Sequence, residues 1–269
     1  MARQNQDQDA IGIFDSGVGG LTVMHELIAA LPSESFVYLG DTGRYPYGNK
    51  SPETVTRYSL ENAAFLVDKG IKLLVVACNA ASSVALGALK AELPVPVIGV
   101  IEPGAKAAVA RTKNGRVGVI GTEVTIASGA YTRTLKQLRK DLEIYTRACP
   151  LFVPLAEEGW TDNEVAKATI ALYLGSLQKS GIDTLILGCT HYPLLKTAIG
   201  EYLGEGVTLV DSAEETAREV RETLKGDGTL RRRGRGAASF FVTDVPDRFI
   251  KVGRRFLGER VESAVRIER

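Results

Sequence analysis

Gly70-Ile71-Lys72-Leu73-Leu74-Val75-Val76-Ala77-Cys78-Asn79 and Gly181-Ile182-Asp183-Thr184-Leu185-Ile186-Leu187-Gly188-Cys189-Thr190 are two versions of one pattern. Aligned without a gap, each has Gly-Ile, an aliphatic run, a small residue, a cysteine and a short polar residue. Continuous aliphatic runs of this length suit strands covered on both faces, as in parallel sheets. A second pair repeats the theme: Ile11-Gly12-Ile13-Phe14-Asp15-Ser16 resembles Val117-Gly118-Val119-Ile120-Gly121-Thr122. The chain therefore reads as a duplicated α/β unit with one thiol at the same point of each copy.

The rest of the sequence fits that reading. Strands are expected at Ala10–Phe14, Phe36–Leu39, Leu73–Ala77, Val97–Val100, Val117–Ile120, Thr184–Leu187, Thr208–Val210 and Ser239–Val242. Helical patterns fall between them at Leu21–Ala30, Pro52–Lys69, Ser82–Leu93, Ser128–Leu138, Glu164–Ser180 and Ala213–Leu224. Strands alternating with helices predict βαβ units and mainly parallel sheets. We expect a first α/β domain from residues 1–102 together with 211–269, and a second from residues 103–210. Such pairs hold a ligand between them, at the C-terminal ends of the strands.

Composition narrows the function. The 269 residues carry a net charge of +1, which gives no strong attraction to nucleic acid or membrane. The run Arg231-Arg232-Arg233-Gly234-Arg235 reads as a solvated loop before the final strand. No apolar run approaches the roughly 20 residues that span a bilayer, and the polar first ten residues do not resemble a signal peptide. Three cysteines without a short pairing motif suit a reduced, cytoplasmic protein. Two histidines, with no Cys-x-x-Cys and no His-x-x-x-His, give no expectation of a metal.

Cys78 and Cys189 each end a strand just before a helix start, where free N–H groups and the positive end of the dipole favour a thiolate. The same donors can hold a substrate carboxylate. His191, two residues past Cys189, is placed to serve as acid, base or thiol partner. Cys149 lacks such a context and reads as packing. Asp15-Ser16-Gly17-Val18-Gly19-Gly20-Leu21-Thr22 tempts a dinucleotide reading, but Thr22 stands where the third glycine belongs and Asp15 would repel a pyrophosphate. An acid beside a hydroxyl at a strand end better suits an ammonium group or a partner for a thiol. On these residues alone a proton-transfer enzyme, a thiol-redox protein and a binding protein with inert cysteines all remain open.

Five motifs in order are similar to those of glutamate racemase, the cofactor-independent enzyme that supplies D-glutamate for bacterial cell walls. They are Phe14-Asp15-Ser16-Gly17-Val18-Gly19-Gly20-Leu21, Gly40-Asp41-Thr42 with Pro46-Tyr47-Gly48, Ala77-Cys78-Asn79, Gly188-Cys189-Thr190-His191-Tyr192-Pro193, and a tail from Phe241 to Phe256. The resemblance runs from about Ile11 to Gly258. It implies two pseudo-symmetric α/β domains around one site, no cofactor, glutamate as the small-molecule partner and a homodimer. It also implies that Cys78 takes the α-proton of D-glutamate and Cys189 that of L-glutamate. Asp15 matches the residue assisting Cys78; His191 and Glu157 match those assisting Cys189. Ser16, Tyr47, Gly48, Asn79, Thr122 and Thr190 fall at substrate-binding positions. The family usually reads Cys-Asn-Thr-Ala-Ser where this chain has Cys78-Asn79-Ala80-Ala81-Ser82, so Ala80 removes one hydroxyl. A racemase of a neighbouring substrate such as aspartate is the nearest alternative.

Overall fold

Two parallel sheets organise the chain, each built on a strand whose side chains are buried on both faces. The computed structural model describes residues 9–268, so the polar residues 1–8 lie outside the described residues. The strands are β1 (Ala10–Asp15), β2 (Phe36–Gly40), β3 (Ile71–Val76), β4 (Val97–Gly99), β5 (Arg116–Gly121), β6 (Glu143–Ala148), β7 (Thr184–Gly188), β8 (Thr208–Asp211), β9 (Ala238–Val242) and β10 (Val265–Arg266). One sheet has the order β10-β9-β2-β1-β3-β4, the other β6-β5-β7-β8. Every neighbouring pair is parallel. The duplication is explicit in this order: β2-β1-β3-β4 and β6-β5-β7-β8 are one topology written twice. β1 and β5 are the central strands at which each order reverses, and the crevice at that point is where open α/β sheets bind ligands.

The expected strands lie within about a residue or two of the observed ones. β6 was not expected; its side chains are mostly partly buried or exposed, and it pairs only with β5. An edge strand carrying Glu143 and Arg147 lacks the apolar alternation that reveals a half-buried strand. The helical pattern Ser82–Leu93 resolves into two helices, Asn79–Val84 and Leu86–Glu92, so the first begins directly after Cys78. Ser128–Leu138 begins at Ala130, after a separate turn of helix at Glu123–Ala127. Helices Ile101–Arg111, Phe152–Glu158, Lys196–Leu203 and Pro246–Leu257 complete the frame.

Packing follows from these layers. Ile11, Ile13, Leu73 and Val75 point to one face of the first sheet, under helices Leu21–Ala30, Ala213–Gly226 and Pro246–Leu257. Phe14, Leu39, Leu74 and Val76 point to the other face, under helix Pro52–Asp68. That helix starts cleanly because the Ser51 side chain accepts the Thr54 N–H and Pro52 presets the first turn. With both faces of each sheet covered, the open ends of the strands are what remains for chemistry.

Candidate active site

The C-terminal ends of β3 and β7 meet across a small cavity. Its walls include Ser16, Tyr45, Gly48, Cys78, Asn79, Ala80, Thr122, Cys189, Thr190 and His191. The two thiols, one from each sheet, are thus brought to a single space. Its volume is about 30 Å³, enough for a water or two but not for an amino acid. A larger hollow of about 250 Å³ lies outside it, and Tyr45 lines both.

Close packing explains two glycines of the Asp15–Leu21 motif, Gly19 against the other half and Gly20 against its own strand ends. A Cβ on Gly19 would run into Thr190 and His191, and one on Gly20 would lie 2.6 Å from the Asp15 Cβ. The N–H of Gly17 is taken by Asp15 Oδ2 at 2.9 Å. The loop therefore spends its donor on its own carboxylate rather than on a phosphate. Gly48 plays the same part on the other side, since a Cβ there would lie 2.7 Å from the Thr122 Cβ.

The surroundings of the two sulfurs differ. Cys78 caps helix Asn79–Val84, with its Sγ 3.7 Å from Ser16 Oγ. Burial, reinforced by the nearby Asp15 charge, pushes this thiol up to about 12 against the pull of the Ala81 N–H and Ser16. The pull of the helix start towards a thiolate is thus outweighed: desolvation exceeds one short helix's donors. Asp15 is itself raised above the usual carboxylate range by burial, although His191, the Gly17 and Gly20 N–H groups and Thr190 act the other way. Thr190 Oγ1 donates to Asp15 Oδ1 at 3.4 Å, so Asp15 touches both halves rather than serving Cys78 alone.

Cys189 Sγ lies 3.9 Å from His191 Nδ1, and His191 Nε2 lies 3.2 Å from Glu157 Oε1. Burial disfavours a charged imidazole, but its bonds to Cys189 and Glu157 prevail and lift His191 to about 10. Burial also works to raise Glu157; His191, Tyr45 and Arg248 nonetheless hold it below its ordinary value. Cys189, His191 and Glu157 thus form a line of polar contacts running from the cavity towards solvent.

Tyr47 and Asn79, both placed at the substrate from sequence, are left with different groups to offer. Tyr47 is fully buried and its hydroxyl is already engaged, donating to Asp41 and accepting from Asn62 Nδ2 at 3.0 Å. Only its backbone is left to meet a ligand. Asn79 presents the opposite case. Its Oδ1 accepts from Tyr131 Oη at 2.7 Å, while its buried Nδ2 finds no acceptor among the described residues. A buried donor in this state costs about 1–3 kcal/mol, recovered when a bound acceptor reaches it. Tyr131, which sets that orientation, and Tyr45 and Arg248, which meet Glu157, had no signal in the sequence beyond Tyr45's place beside Pro46-Tyr47. Cys149 is buried and packs in the core of the second sheet. Among the described residues no cluster of three or more histidine, cysteine or acidic side chains suits a metal, and no helix is long and apolar enough to cross a membrane.

Two thiols, one from each sheet, on one small cavity suit an enzyme that inverts a carbon by removing a proton from one face and returning one to the other. The family model for Asp/Glu/hydantoin racemases matches residues 11–220. The chain belongs to that family and is an amino-acid racemase. Its similarity is to glutamate racemases in particular. It is 64% identical over 253 residues to the glutamate racemase of Geobacter metallireducens, covering 94% of each chain. The crystal structure of a glutamate racemase isoform from Bacillus anthracis superposes with a TM-score of 0.94 at 44% identity, over 97% of this chain and 98% of that one. A Francisella tularensis glutamate racemase, solved in complex with D-glutamate, superposes at 0.92 with 34% identity over the same shares.

Proposed function

We propose that this chain interconverts L- and D-glutamate by passing the α-proton between Cys78 and Cys189 without a cofactor. The observation that carries the reading is the convergence of both thiols, from equivalent strands of the two sheets, on one cavity. The α-proton of an amino acid is very weakly acidic. With no electron sink such as pyridoxal phosphate, the carbanion must be stabilised by fixed donors in a site closed to water. A cavity this small between two halves supports such closure, so substrate enters by parting them.

The residues divide the work. Cys78 takes the proton of D-glutamate and Cys189 that of L-glutamate, the opposite thiol returning one each time. His191 as imidazolium stabilises negative charge on the Cys189 sulfur, with Glu157 behind it. Asp15 receives the substrate's ammonium group, whose positive charge offsets the Asp15 repulsion that adds to burial in holding Cys78 protonated. Asn79 Nδ2, Ser16, Thr122, Thr190 and the Tyr47-Gly48 backbone receive the carboxylates. Residues 1–102 with 211–269, and residues 103–210, are the two moving units. The chain acts as a cytoplasmic homodimer, and its D-glutamate goes to peptidoglycan.

Proton NMR of L-glutamate in D₂O with purified protein and no added cofactor tests this. The α-proton signal should vanish as D-glutamate accumulates. An unchanged signal over hours, with folded protein and reduced thiols, sinks the glutamate assignment and turns attention to aspartate.

Ala80 gives a finer expectation. It is 5% exposed at the cavity wall, where the family usually has threonine. A hydroxyl bonded to a charged carboxylate contributes about 1.5 kcal/mol or more. Ala80→Thr should therefore lower the KM for glutamate about tenfold, with kcat little changed. Steady-state kinetics in both directions check this, and a KM that stays put or rises contradicts it.

A further inference from the structure

Glu157 stands where the two halves meet at the mouth of the cleft. Its Oε1 faces His191, and its Oε2 accepts from Arg248 Nη2 at 3.3 Å. The Tyr45 hydroxyl lies near the same carboxylate and helps hold it charged. Glu157 and His191 belong to the half built on the second sheet, whereas Tyr45 and Arg248 come from the other, so both reach Glu157 only across the closed cleft. They are also held as one piece. Thr42, at the start of the turn that carries Tyr45, donates to the Asp244 carbonyl at 2.6 Å and accepts from its N–H at 2.9 Å. Val245 then turns the chain into helix Pro246–Leu257 with a φ of 42°, a conformation a β-branched residue rarely adopts. Arg248 projects from the first turn of that helix, and Phe256 from its last turn packs its ring edge-on to His191 at 5.4 Å.

We propose that Arg248 is a positioning residue of the racemisation: by gripping Glu157 across the cleft, it fixes that carboxylate against His191 and so makes closure complete the acid–base line that serves Cys189. The inference rests on the reading of Cys189 and His191 given above. An arginine 64% exposed adds little to stability; its effect lies in the direction in which it holds a carboxylate. Arg248 acts on His191 in two opposed ways. Its charge alone disfavours an imidazolium nearby, while its grip on Glu157 favours one. The groups facing the pair are Cys189 and Asp15 towards His191, and Tyr45 and Arg248 towards Glu157. The Glu157 contact is direct and Arg248 is solvated, so the grip prevails.

The opposed signs make the test decisive. The chain has two histidines, so the ring nitrogens of ¹⁵N-histidine-labelled full-length protein give two sets of NMR signals, with exposed His25 as the reference. In the native chain His191 should remain an imidazolium up to a pH of about 10. In Arg248→Gln it should lose its proton at a pH lower by about one, a tenfold fall in proton affinity. The same variant should lose about tenfold in kcat with KM within about twofold, Arg248→Lys should recover most of the loss, and Arg254→Gln on the same helix should behave as wild type. A His191 that titrates unchanged or at higher pH in Arg248→Gln overturns the proposal, as does a rise in KM alone, which would make Arg248 a guide for the incoming anion. The titration needs no substrate, so its outcome is independent of whether the two-thiol reading survives.

Discussion

Replacing either active-site cysteine by alanine should lower racemisation by about 10³-fold or more while leaving a folded protein that still removes one enantiomer's α-proton. Racemisation needs both sulfurs, because the base that takes the proton cannot reach the opposite face to return one. L- and D-glutamate are mirror images, so their equilibrium constant is one and kcat/KM must fall equally in both directions. Turnover of glutamate cannot then say which thiol serves which enantiomer. An analogue that leaves irreversibly can. In 3-chloroglutamate, loss of the α-proton to sulfur lets the carbanion expel chloride; the enamine so formed becomes an imine and hydrolyses to a keto acid and ammonia. This needs one base only. Cys189→Ala, which retains Cys78, should release chloride from the D-configured analogue, and Cys78→Ala from the L-configured one. Both cysteines are buried at the cavity and a cysteine-to-alanine change removes a single atom, so circular dichroism should report an intact fold. Near-normal racemisation by either variant, or chloride release from the same enantiomer by both, would remove the two-base assignment.

Much of the site was legible because chemistry and fold coincide at strand ends. Cys78, Asp15, Cys189 and Thr122 all directly follow or end runs of buried aliphatic residues, so a periodicity reading alone carries them to the same side of their sheets. What the sequence withheld were contacts between distant segments. Glu157 meets His191 from a separate helix, and nothing in Val153-Pro154-Leu155-Ala156-Glu157 announces it without the family resemblance. Tyr47 and Asn79 looked equivalent as polar residues of the motifs, yet Asp41 and Asn62 absorb the tyrosine's hydroxyl while Tyr131 leaves the asparagine's amide free to donate. Which of two donors remains free depends on partners brought together by folding. The ionisation of Cys78 lies beyond the sequence for a related reason: a helix start is visible there, but burial beside a second buried acid is not.

Lys72 extends the same lesson to stability. It interrupts the aliphatic run of β3 and reads as an ordinary lysine in a strand, yet its ammonium group is 2.7 Å from Glu34 Oε2 with both side chains 1% exposed. The pair also ties down a distant loop, since Lys72 Nζ donates to the Thr229 carbonyl at 2.8 Å and Glu34 Oε1 accepts from the Arg231 N–H at 2.7 Å. The arginine-rich run is thus anchored at its first residue, while Arg232, Arg233 and Arg235 are exposed. Lys72→Met leaves a buried carboxylate without its cation, a loss of about 3–5 kcal/mol, or very roughly 10 °C in Tm for a chain of this size. Removing the acid as well, in Lys72→Met with Glu34→Leu, should recover part of the loss, because no buried charge is then stranded; the Thr229 carbonyl and Arg231 N–H remain to be solvated. Thermal unfolding followed by circular dichroism measures both variants. The pair sits at the N-terminal ends of β2 and β3, away from the thiols at the C-terminal ends, so kcat at 25 °C should match the native chain. A single variant as stable as the native chain would mean that water reaches Glu34, whereas a normal Tm loss accompanied by a fall in kcat would mean that the anchored loop communicates with the cleft.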